Sequence, residues 1–466
     1  MKANRTCWPS FAKTQRLRFF RTILRACILV TACHFLDASD WPRFLGPQGN
    51  STSAETNLLE SWGTKGPPVL WEKSIGTGYS APSVRGNRIV FHHRVKDQEI
   101  VECSDAATGN AVWRYAYPST FVDPYGYNNG PRATPLLTKN RCYTFGAEGK
   151  LLCLELATGK LIWQRDTGTD FEVPPAFFGV GSTPLLEGNL LIAMVGGQPN
   201  SGVVAFDANT GATLWQSVGE KNWTGIPMTG WPSERTVQWQ RWEKQASYSS
   251  PVAATIHGQR HIFCLMRQGL VSLNPTNGSV NFSLWFRSRA NDSVNAASPV
   301  VIDDLVFISG AYYKVGSVLL RVKPDGKTFD EVWRSDALEI HWNTPVYHDR
   351  FLYAFSGRNE PDARFRCVEF KTGNVMWDRD ESWQHGAQSS STYGRGSAIL
   401  ADGKLITLGE TGILGLFKLN PKAPEEICRA QITSLHYPCW GGPVLADKRL
   451  YLRSEDRLVC LDLTRR

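Results

Sequence analysis

Short apolar strands and turn residues alternate along the chain in a unit that recurs about every 52 residues, a period typical of propellers and solenoids. Each unit opens with small or polar residues, a proline and an apolar run. The openings are Ser80-Ala81-Pro82, Ala133-Thr134-Pro135, Ser182-Thr183-Pro184, Ser249-Ser250-Pro251, Ala297-Ser298-Pro299, Asn343-Thr344-Pro345, Gly441-Gly442-Pro443 and a degenerate copy, Gly396-Ser397-Ala398. Eight units are therefore predicted.

A turn dipeptide and an apolar strand follow each opening, as after Gly86-Asn87, Gly188-Asn189 and Asp402-Gly403. A third strand and a glycine turn come next, and an aromatic residue stands four positions after that glycine. The pairs are Gly109 with Trp113, Gly159 with Trp163, Gly211 with Trp215, Gly278 with Phe282 and Gly373 with Trp377. Four short strands per unit predict an all-β fold, an eight-bladed β-propeller of four-stranded antiparallel blades.

The two ends of the repeat region predict how the ring closes. The last unit stops at Leu463 without its tryptophan-bearing strand, and the segment from Pro68 to Lys73 reads like that strand. An N-terminal strand that completes the last blade would hide two sheet edges. We therefore expect Trp71 in one sheet with Leu458 to Leu461, and we expect trimming the chain through residue 75 to lower the melting temperature.

The charge of the chain sits mainly in its first residues. Lysine and arginine number 51 against 43 acidic residues, a formal +8, but the first 33 residues hold seven of these basic residues and no acid. The chain after residue 33 is nearly neutral, and it contains no nucleic-acid-binding motif. These two observations exclude a nucleic-acid-binding protein. No apolar run is long enough for a polytopic membrane protein.

Residues 1–39 read as an export leader, and residues 40–466 as a single propeller. The leader has a basic start, an apolar stretch from Ala26 to Ala32, and then Cys33. Val30 to Cys33 resembles a bacterial lipobox, in which Cys33 is lipidated and anchors the protein to the membrane. Cleavage near Ala38 is the competing outcome, and a disordered basic tail is the alternative to export. Export places the protein in the periplasm or cell envelope.

Eleven cysteines would suit disulfides in an exported protein, but their positions argue against them. Cys103, Cys153, Cys367 and Cys460 stand at equivalent places in different repeats. Equivalent positions do not usually meet, so these four are predicted to be small buried hydrophobic residues on strands.

The run Ala205-Phe206-Asp207-Ala208-Asn209-Thr210-Gly211 to Trp215 resembles the repeat of the PQQ-like propeller family, with related copies ending at Gly159 to Trp163 and Gly373 to Trp377. The opening from Asp40 to Pro47 also resembles the leading segment of such proteins. The resemblance covers residues 40–466. It implies one of two branches: quinoprotein alcohol dehydrogenases, which hold pyrroloquinoline quinone and Ca²⁺, or BamB-like envelope lipoproteins, which act as scaffolds without a cofactor.

Departures from the enzyme branch favour the scaffold. The chain is shorter than methanol-dehydrogenase-like quinoproteins, has no adjacent cysteine pair and has no C-x-x-C-H haem motif. No quinone, Ca²⁺ or catalytic-base position can be carried over, and no metal site is predicted. We expect a monomeric, non-catalytic scaffold that binds envelope proteins. A quinoprotein oxidoreductase acting on an alcohol or sugar is the alternative, with pyrroloquinoline quinone and Ca²⁺ as its cofactors.

Polar and aromatic residues near the starts of the innermost strands are candidates for a small-molecule site at the mouth of the central channel. They are Arg132, His341, Trp342, Asn343, His385, Tyr393, Arg395, His436, Tyr437 and Trp440. The alternative is that they pack over the blade tops and bond to the backbone.

The longest connection, residues 216–248, contains Trp223, Trp231, Trp239 and Trp242. Tryptophan is enriched at interface hot spots, so this insertion is predicted to be a lid or a partner-binding surface. A self-packed loop is the alternative.

Overall fold

The computed structural model describes residues 40–174, 177–223, 246–288, 293–384 and 392–465, all within one compact unit, Asp37–Arg466. Its strands form eight four-stranded sheets, each antiparallel. The first strands of neighbouring blades contact one another and therefore surround the central channel. The predicted eight-bladed propeller is confirmed. Residues 1–39, with the predicted leader and Cys33, lie outside the described residues.

The strands follow one another from the inner to the outer edge of each blade. Blade 1 consists of β2 (Ser83–Arg85), β3 (Arg88–Val95), β4 (Gln98–Asp105) and β5 (Ala111–Pro118). Blade 2 consists of β6 (Leu136–Leu137), β7 (Arg141–Phe145), β8 (Lys150–Glu155) and β9 (Leu161–Asp166). Blade 3 consists of β10 (Leu185–Glu187), β11 (Leu190–Ala193), β12 (Val203–Asp207) and β13 (Thr213–Ser217). Blades 4 to 6 consist of β14 (Val252–Ile256), β15 (Gln259–Leu265), β16 (Gly269–Leu273), β17 (Val280–Trp285); β18 (Val300–Ile302), β19 (Leu305–Gly310), β20 (Gly316–Val322), β21 (Phe329–Ser335); and β22 (Val346–His348), β23 (Phe351–Ser356), β24 (Arg364–Glu369), β25 (Val375–Asp380). Blades 7 and 8 consist of β26 (Gly396–Ala401), β27 (Lys404–Gly409), β28 (Ile413–Lys418), β29 (Glu426–Gln431); and β30 (Val444–Ala446), β31 (Arg449–Arg453), β32 (Arg457–Asp462), β1 (Val69–Ser74).

Helical structure among the described residues is limited to single turns in the connections. They are the α-helix α1 (Thr167–Asp170) and the 3₁₀ turns Glu220–Asn222, Tyr312–Lys314 and Glu360–Asp362. Within the described ranges, no helix has the length and apolar character needed to cross a membrane.

The N-terminal strand closes the ring as the repeat pattern predicts. β1 pairs with β32, and Trp71 stands opposite Cys460. Arg453 of β31 joins blades 8 and 1 from within, because its Nη1 donates to the carbonyl oxygens of Ser80 at 2.6 Å and His92 at 2.9 Å. The closure therefore combines a strand pair with a buried guanidinium.

The outer-strand tryptophans link each blade to the next one. In six described junctions the indole Nε1 donates to a backbone carbonyl of the following blade at 2.8–3.1 Å: Trp71 to Ala106, Trp113 to Leu156, Trp163 to Ala208, Trp215 to Pro275, Trp333 to Phe370 and Trp377 to Asn420. In five of these junctions the turn glycine of the following blade lies against the ring: Gly109 at Trp71, Gly159 at Trp113, Gly211 at Trp163, Gly278 at Trp215 and Gly373 at Trp333. The spacing of glycine and tryptophan in the repeat thus connects two blades, since these glycines receive the tryptophan of the preceding blade.

The four cysteines at equivalent repeat positions are buried and form no disulfide. Each stands opposite the tryptophan on its blade's outer strand, for example Cys103 opposite Trp113 and Cys367 opposite Trp377. The register shifts next to these pairs, so a bulge accompanies the tryptophan. The prediction of small buried residues is confirmed.

A segment ahead of the ring, residues 40–53, crosses the channel on the face of the tight turns; we name it the strap. The Trp41 N–H donates to the Val84 carbonyl of blade 1 at 3.0 Å, and the Leu137 N–H of blade 2 donates to Pro42 at 2.7 Å. The Leu400 N–H of blade 7 donates to Ser51 at 2.8 Å. These bonds hold the strap across the inner strands, a role that the sequence pattern did not predict.

The glycine–tryptophan contact can be tested by comparing two turns of blade 3. Gly211 has φ +73°, and a methyl group there would lie 2.8 Å from the Trp163 ring, whereas Gly188 has φ +58° and open space around it. Alanine at either position carries the strain of a left-handed backbone, about 1–2 kcal/mol, but only Gly211→Ala adds overpacking of about 1–3 kcal/mol. Urea unfolding should therefore show that Gly211→Ala lowers the free energy of unfolding more than Gly188→Ala does. Equal losses would contradict the proposed packing.

Candidate functional site

A cavity of about 170 Å³ lies at the channel mouth, on the face opposite the tight turns. Phe44 of the strap lines it from inside the channel. The other aromatic lining residues come from connections between and within blades: Tyr79, Tyr127, Phe178, Tyr248, Tyr312, Trp342 and Trp440. The cavity is thus an aromatic cup.

The position of these residues in the repeat explains why they meet. The third residue before the proline of each opening lines the cavity in seven blades: Tyr79, Arg132, Gly181, Tyr248, Ala296, Trp342 and Trp440. Rotational symmetry brings equivalent positions of a propeller to one ring around the axis. The eighth such position is Arg395, which stands directly behind the cavity wall.

Arg395 lies at the centre of a buried ionic network. Its Nη2 donates to Glu410 Oε2 at 2.8 Å and to Glu360 Oε1 at 2.7 Å. Its guanidinium stacks on the Trp342 ring at 4.8 Å and on the Trp440 ring at 5.8 Å. Two carboxylates compensate this buried cation, which is the usual condition for burying charge.

Three further donors saturate the two carboxylates. Trp440 Nε1 donates to Glu410 Oε2 at 3.1 Å, and Trp383 Nε1 donates to Glu410 Oε1 at 3.0 Å. The Tyr437 hydroxyl donates to Glu360 Oε1 at 3.2 Å. The ring of Trp440 is therefore fixed in place by a buried charge behind it.

His341 is held as a neutral imidazole between this network and the cavity. Its Nδ1 accepts from Arg395 Nη1 at 3.1 Å, so Nε2 carries the proton and faces the Tyr312 hydroxyl at 3.3 Å. Burial and the positive charges of Arg395 and Arg358 hold the pKa of His341 well below its usual value. His341 is thus a positioning group for Tyr312.

The opposite wall has its own paired charge. Arg132 Nη2 donates to Asp123 Oδ2 at 2.6 Å and to the Asn128 carbonyl at 3.1 Å. The guanidinium also stacks on the Tyr79 ring at 5.4 Å. Burial lowers the pKa of Arg132, and the nearby Asp123 opposes that effect.

The ring nitrogen of Trp342 is the unmatched polar atom at the cavity. Its Nε1 is buried and has no hydrogen-bond acceptor among the described residues, while the ring lines the cavity. A buried donor without a partner costs free energy, so an acceptor supplied by a ligand would be favourable here.

Three of the predicted mouth residues lie away from the cup and the groups that surround it. Tyr393 is fully buried between blades 6 and 7, where its hydroxyl donates to Glu426 Oε1 at 3.0 Å. Asn343 is buried and donates from Nδ2 to the Phe355 carbonyl at 3.0 Å, so it supports an inner strand. His436 lies on the rim, with its side chain 55% exposed and paired with Asp456.

The connections turn Tyr393 and Asn343 into the blades and His436 outward, so these three residues lie away from the cavity, while the ligand contacts as a whole stay a prediction. Of the remaining predicted residues, Arg132, His341, Trp342 and Trp440 line the cavity, and Arg395 and Tyr437 lie behind it. His385 lies outside the described residues.

Of the four tryptophans in the insertion, Trp223 lies within the described residues. Trp223 is 7% exposed and packs on Trp285 of blade 4, with ring centroids 5.3 Å apart. Trp223 is thus a core residue, and the lid or partner-binding surface predicted for the insertion stays a prediction. Trp231, Trp239 and Trp242 lie outside the described residues.

The described donors do not fit the calcium of a quinone cofactor. Calcium takes six to eight oxygen ligands, with carboxylates prominent among them. No aspartate or glutamate lines the cavity, and the described ranges hold no group of three or more histidine, cysteine, aspartate or glutamate residues suited to a metal. The adjacent carboxylates Asp123, Glu360 and Glu410 are bonded to arginine.

The neutral state of His341 predicts a pH dependence of stability. Its folded pKa lies below the unfolded value near 6.5, so the unfolded chain binds more protons and stability falls as the pH drops below about 6.5. The loss approaches about 1.4 kcal/mol per pH unit for one such group. Urea unfolding should be measured at pH 7 and pH 5. The free energy of unfolding should fall less between these two pH values for His341→Gln than for wild type.

The control for this experiment is His436→Gln on the rim, which replaces a histidine outside the buried network and measures the effect of the substitution itself. Burial also lowers the pKa of His93 and His261, so the difference between variants is the informative quantity. An identical loss in wild type and His341→Gln would contradict the assignment of a neutral, buried imidazole.

A family model described as outer membrane protein assembly factor BamB matches residues 46–228 and 96–379. Outer membrane protein assembly factor BamB of Moranella endobia (strain PCIT) is 28% identical over 120 residues, covering 26% of this chain and 27% of that protein. Quinohemoprotein alcohol dehydrogenase of Comamonas testosteroni is 27% identical over 194 residues, covering 40% of this chain and 26% of the enzyme. The matched regions thus span about a quarter of these two relatives.

Solved structures agree in fold. BamB from Moraxella catarrhalis superposes with a TM-score of 0.55 at 14% identity, over 85% of this chain and 99% of that one. The quinohemoprotein alcohol dehydrogenase of Comamonas testosteroni superposes with a TM-score of 0.61 at 14% identity, over 92% of this chain and 81% of that one. Because the family model covers most of the ring, the chain belongs to the PQQ-type repeat propeller family described as outer membrane protein assembly factor BamB.

Proposed function

We propose that this protein is a binding protein of the cell envelope that recognises a partner through the aromatic cup at the channel mouth. The observation that carries the proposal is that the charged groups around the cup are bonded to one another. Arg395 is matched by Glu410 and Glu360, and Arg132 is matched by Asp123. The lining therefore offers ring faces and edges for recognition.

The size of the cup sets what can enter it. An apolar cavity of about 150 Å³ is large enough for benzene. The cup, at about 170 Å³, is suited to one aromatic or bulky apolar group. Stacking on Trp342 or Trp440 would supply affinity, and the Trp342 N–H would select a group that carries an acceptor at its edge.

The envelope location is part of the proposal. BamB relatives are named as outer membrane protein assembly factors, which supports envelope proteins as partners. The predicted export leader and the candidate lipidation of Cys33 agree with that location. The ring would then act as a rigid scaffold that presents loops and the cup to other proteins.

A quinoprotein-type oxidoreductase acting on an alcohol or sugar is the second candidate. Its support is the similarity of 40% of the chain to a quinohemoprotein alcohol dehydrogenase, together with a cup that could accept a planar ring. The lack of carboxylate oxygens in the described lining weighs against calcium-bound quinone at this position.

Photo-crosslinking tests the binding proposal. Tyr127 lines the cup and is 47% exposed, so p-benzoylphenylalanine at position 127 should trap a bound partner in cells of the encoding organism. Gly441 also lines the cup, and the nearest atom to an added methyl group there is 3.6 Å away. Gly441→Phe should therefore fill the cup without distorting the backbone and should abolish the discrete adducts to envelope proteins.

The matched control is Gly63→Phe, a loop position with open space around it, which should leave the adducts unchanged. Purified protein should also be incubated with pyrroloquinoline quinone and Ca²⁺ and assayed by thermal shift and by dye reduction with an alcohol panel. Adducts that persist in Gly441→Phe would contradict recognition at the cup. Cofactor binding with alcohol-dependent turnover would support the oxidoreductase instead.

A further inference from the structure

A groove separate from the cup runs along the same face of the ring. Connections from blades 1 and 2 enclose a volume of about 400 Å³, with Phe121, Val122 and Pro124 on one side and Val173 and Val180 on the other. Val122 is 70% exposed, the highest value among the exposed large hydrophobic residues of the described chain. The groove and the cup have no lining residue in common, so the groove does not depend on what the cup binds.

The groove continues into an acidic recess at the junction of blades 1 and 2. Glu148 and Gly168 line both the groove and the recess, and Glu99 and Asp166 complete the carboxylates of the recess. Lys150, bonded to Asp166 at 2.8 Å, is the cation that lines it. Glu99 is paired with His92 at 3.3 Å, so Glu148 is the carboxylate of the recess that has no ionic partner among the described residues.

Glu148 is the carboxylate best placed to meet a partner. It is exposed, and its bonds come from neutral groups: the Thr120 hydroxyl at 2.6 Å and the Thr120 N–H at 3.0 Å. Glu172, next to Val173 of the groove wall, is exposed as well. Neither has an ionic partner among the described residues. An apolar floor is thus flanked by two carboxylates without cations.

We propose that this groove docks an extended segment of a partner protein in which an apolar side chain lies next to a lysine or arginine. The apolar side chain would cover Val122, Val173 and Val180, and the basic group would meet Glu148 at the entrance of the recess. Opposite charges at the rim of an interface increase the association rate and set the register, while the buried apolar contact supplies most of the affinity. An acidic segment would be repelled.

Peptide display on the whole protein tests the proposal. A phage library of random 12-residue peptides should be selected on wild type and counter-selected on Val122→Asp. We expect enriched sequences that place leucine, isoleucine, valine or phenylalanine beside lysine or arginine. Absence of enrichment over Val122→Asp, or enrichment of acidic sequences, would overturn the proposal.

Fluorescence anisotropy with a synthetic peptide of the selected sequence measures each contact. Val122→Asp should weaken binding about tenfold or more, because it removes apolar contact and places a charge on the floor. Glu148→Gln should weaken binding about two- to fivefold, as expected for an exposed ion pair, and the weakening should fade at high salt. Circular dichroism should show that both variants fold.

The control variant is Glu72→Gln, an exposed carboxylate on β1 at the outer edge of blade 8, which should bind like wild type. Equal binding by Glu148→Gln and wild type at low salt would refute the role of the acidic rim. Gly441→Phe should bind the peptide normally, so a failure of the cup proposal and a failure of this one are distinguishable.

Discussion

The contact between an outer-strand tryptophan and a glycine in the next blade is the interaction on which the ring depends. The indole occupies the space that a side chain on the turn glycine would need. A methyl group on Gly159, for example, would come within 2.5 Å of the Trp113 ring. The same indole donates its N–H to a carbonyl in that turn, so its one polar atom is satisfied. Removing such a ring from a buried contact typically costs about 3–5 kcal/mol. Repetition of the contact fixes the angle between blades.

The cup is a consequence of that repetition. When blades are related by rotation, equivalent residues of each repeat come together around the axis, and the position three residues before the opening proline forms the rim. Aromatic residues at Tyr79, Tyr248, Trp342 and Trp440 then converge although they are far apart in sequence. Arginine occupies two other rim positions, and each is neutralised by carboxylates from elsewhere in the chain. The rest of the rim consists of small residues, which leave the space that the rings surround.

The sequence predicts the ring well because its determinants are local and repeated. A fixed spacing of a few residues identifies the turn glycines and the tryptophans that follow them. The strand around Trp71 is identified in the same way, because it resembles the outer strands of the other units. The cup is predicted only partly. Arg132, Trp342 and Trp440 were found as polar or aromatic residues near inner strands, whereas Tyr79 and Tyr248 were missed although they hold the same repeat position. Tyr393 stands only two residues before Arg395, yet its side chain turns into the blade, which no local pattern encodes. Glu410 and Asp123, which neutralise the arginines, depend on long-range packing that no local pattern encodes.

The aromatic cup at the channel mouth is proposed to bind one ring-shaped group. The most direct measurement is a crystal structure of the protein soaked with indole. We expect an indole within the cup, stacked on Trp342 or Trp440 and above Phe44, and no indole there in Gly441→Phe. A cup that stays without indole at saturating concentration, while the ligand binds elsewhere on the ring, would contradict recognition at the cup.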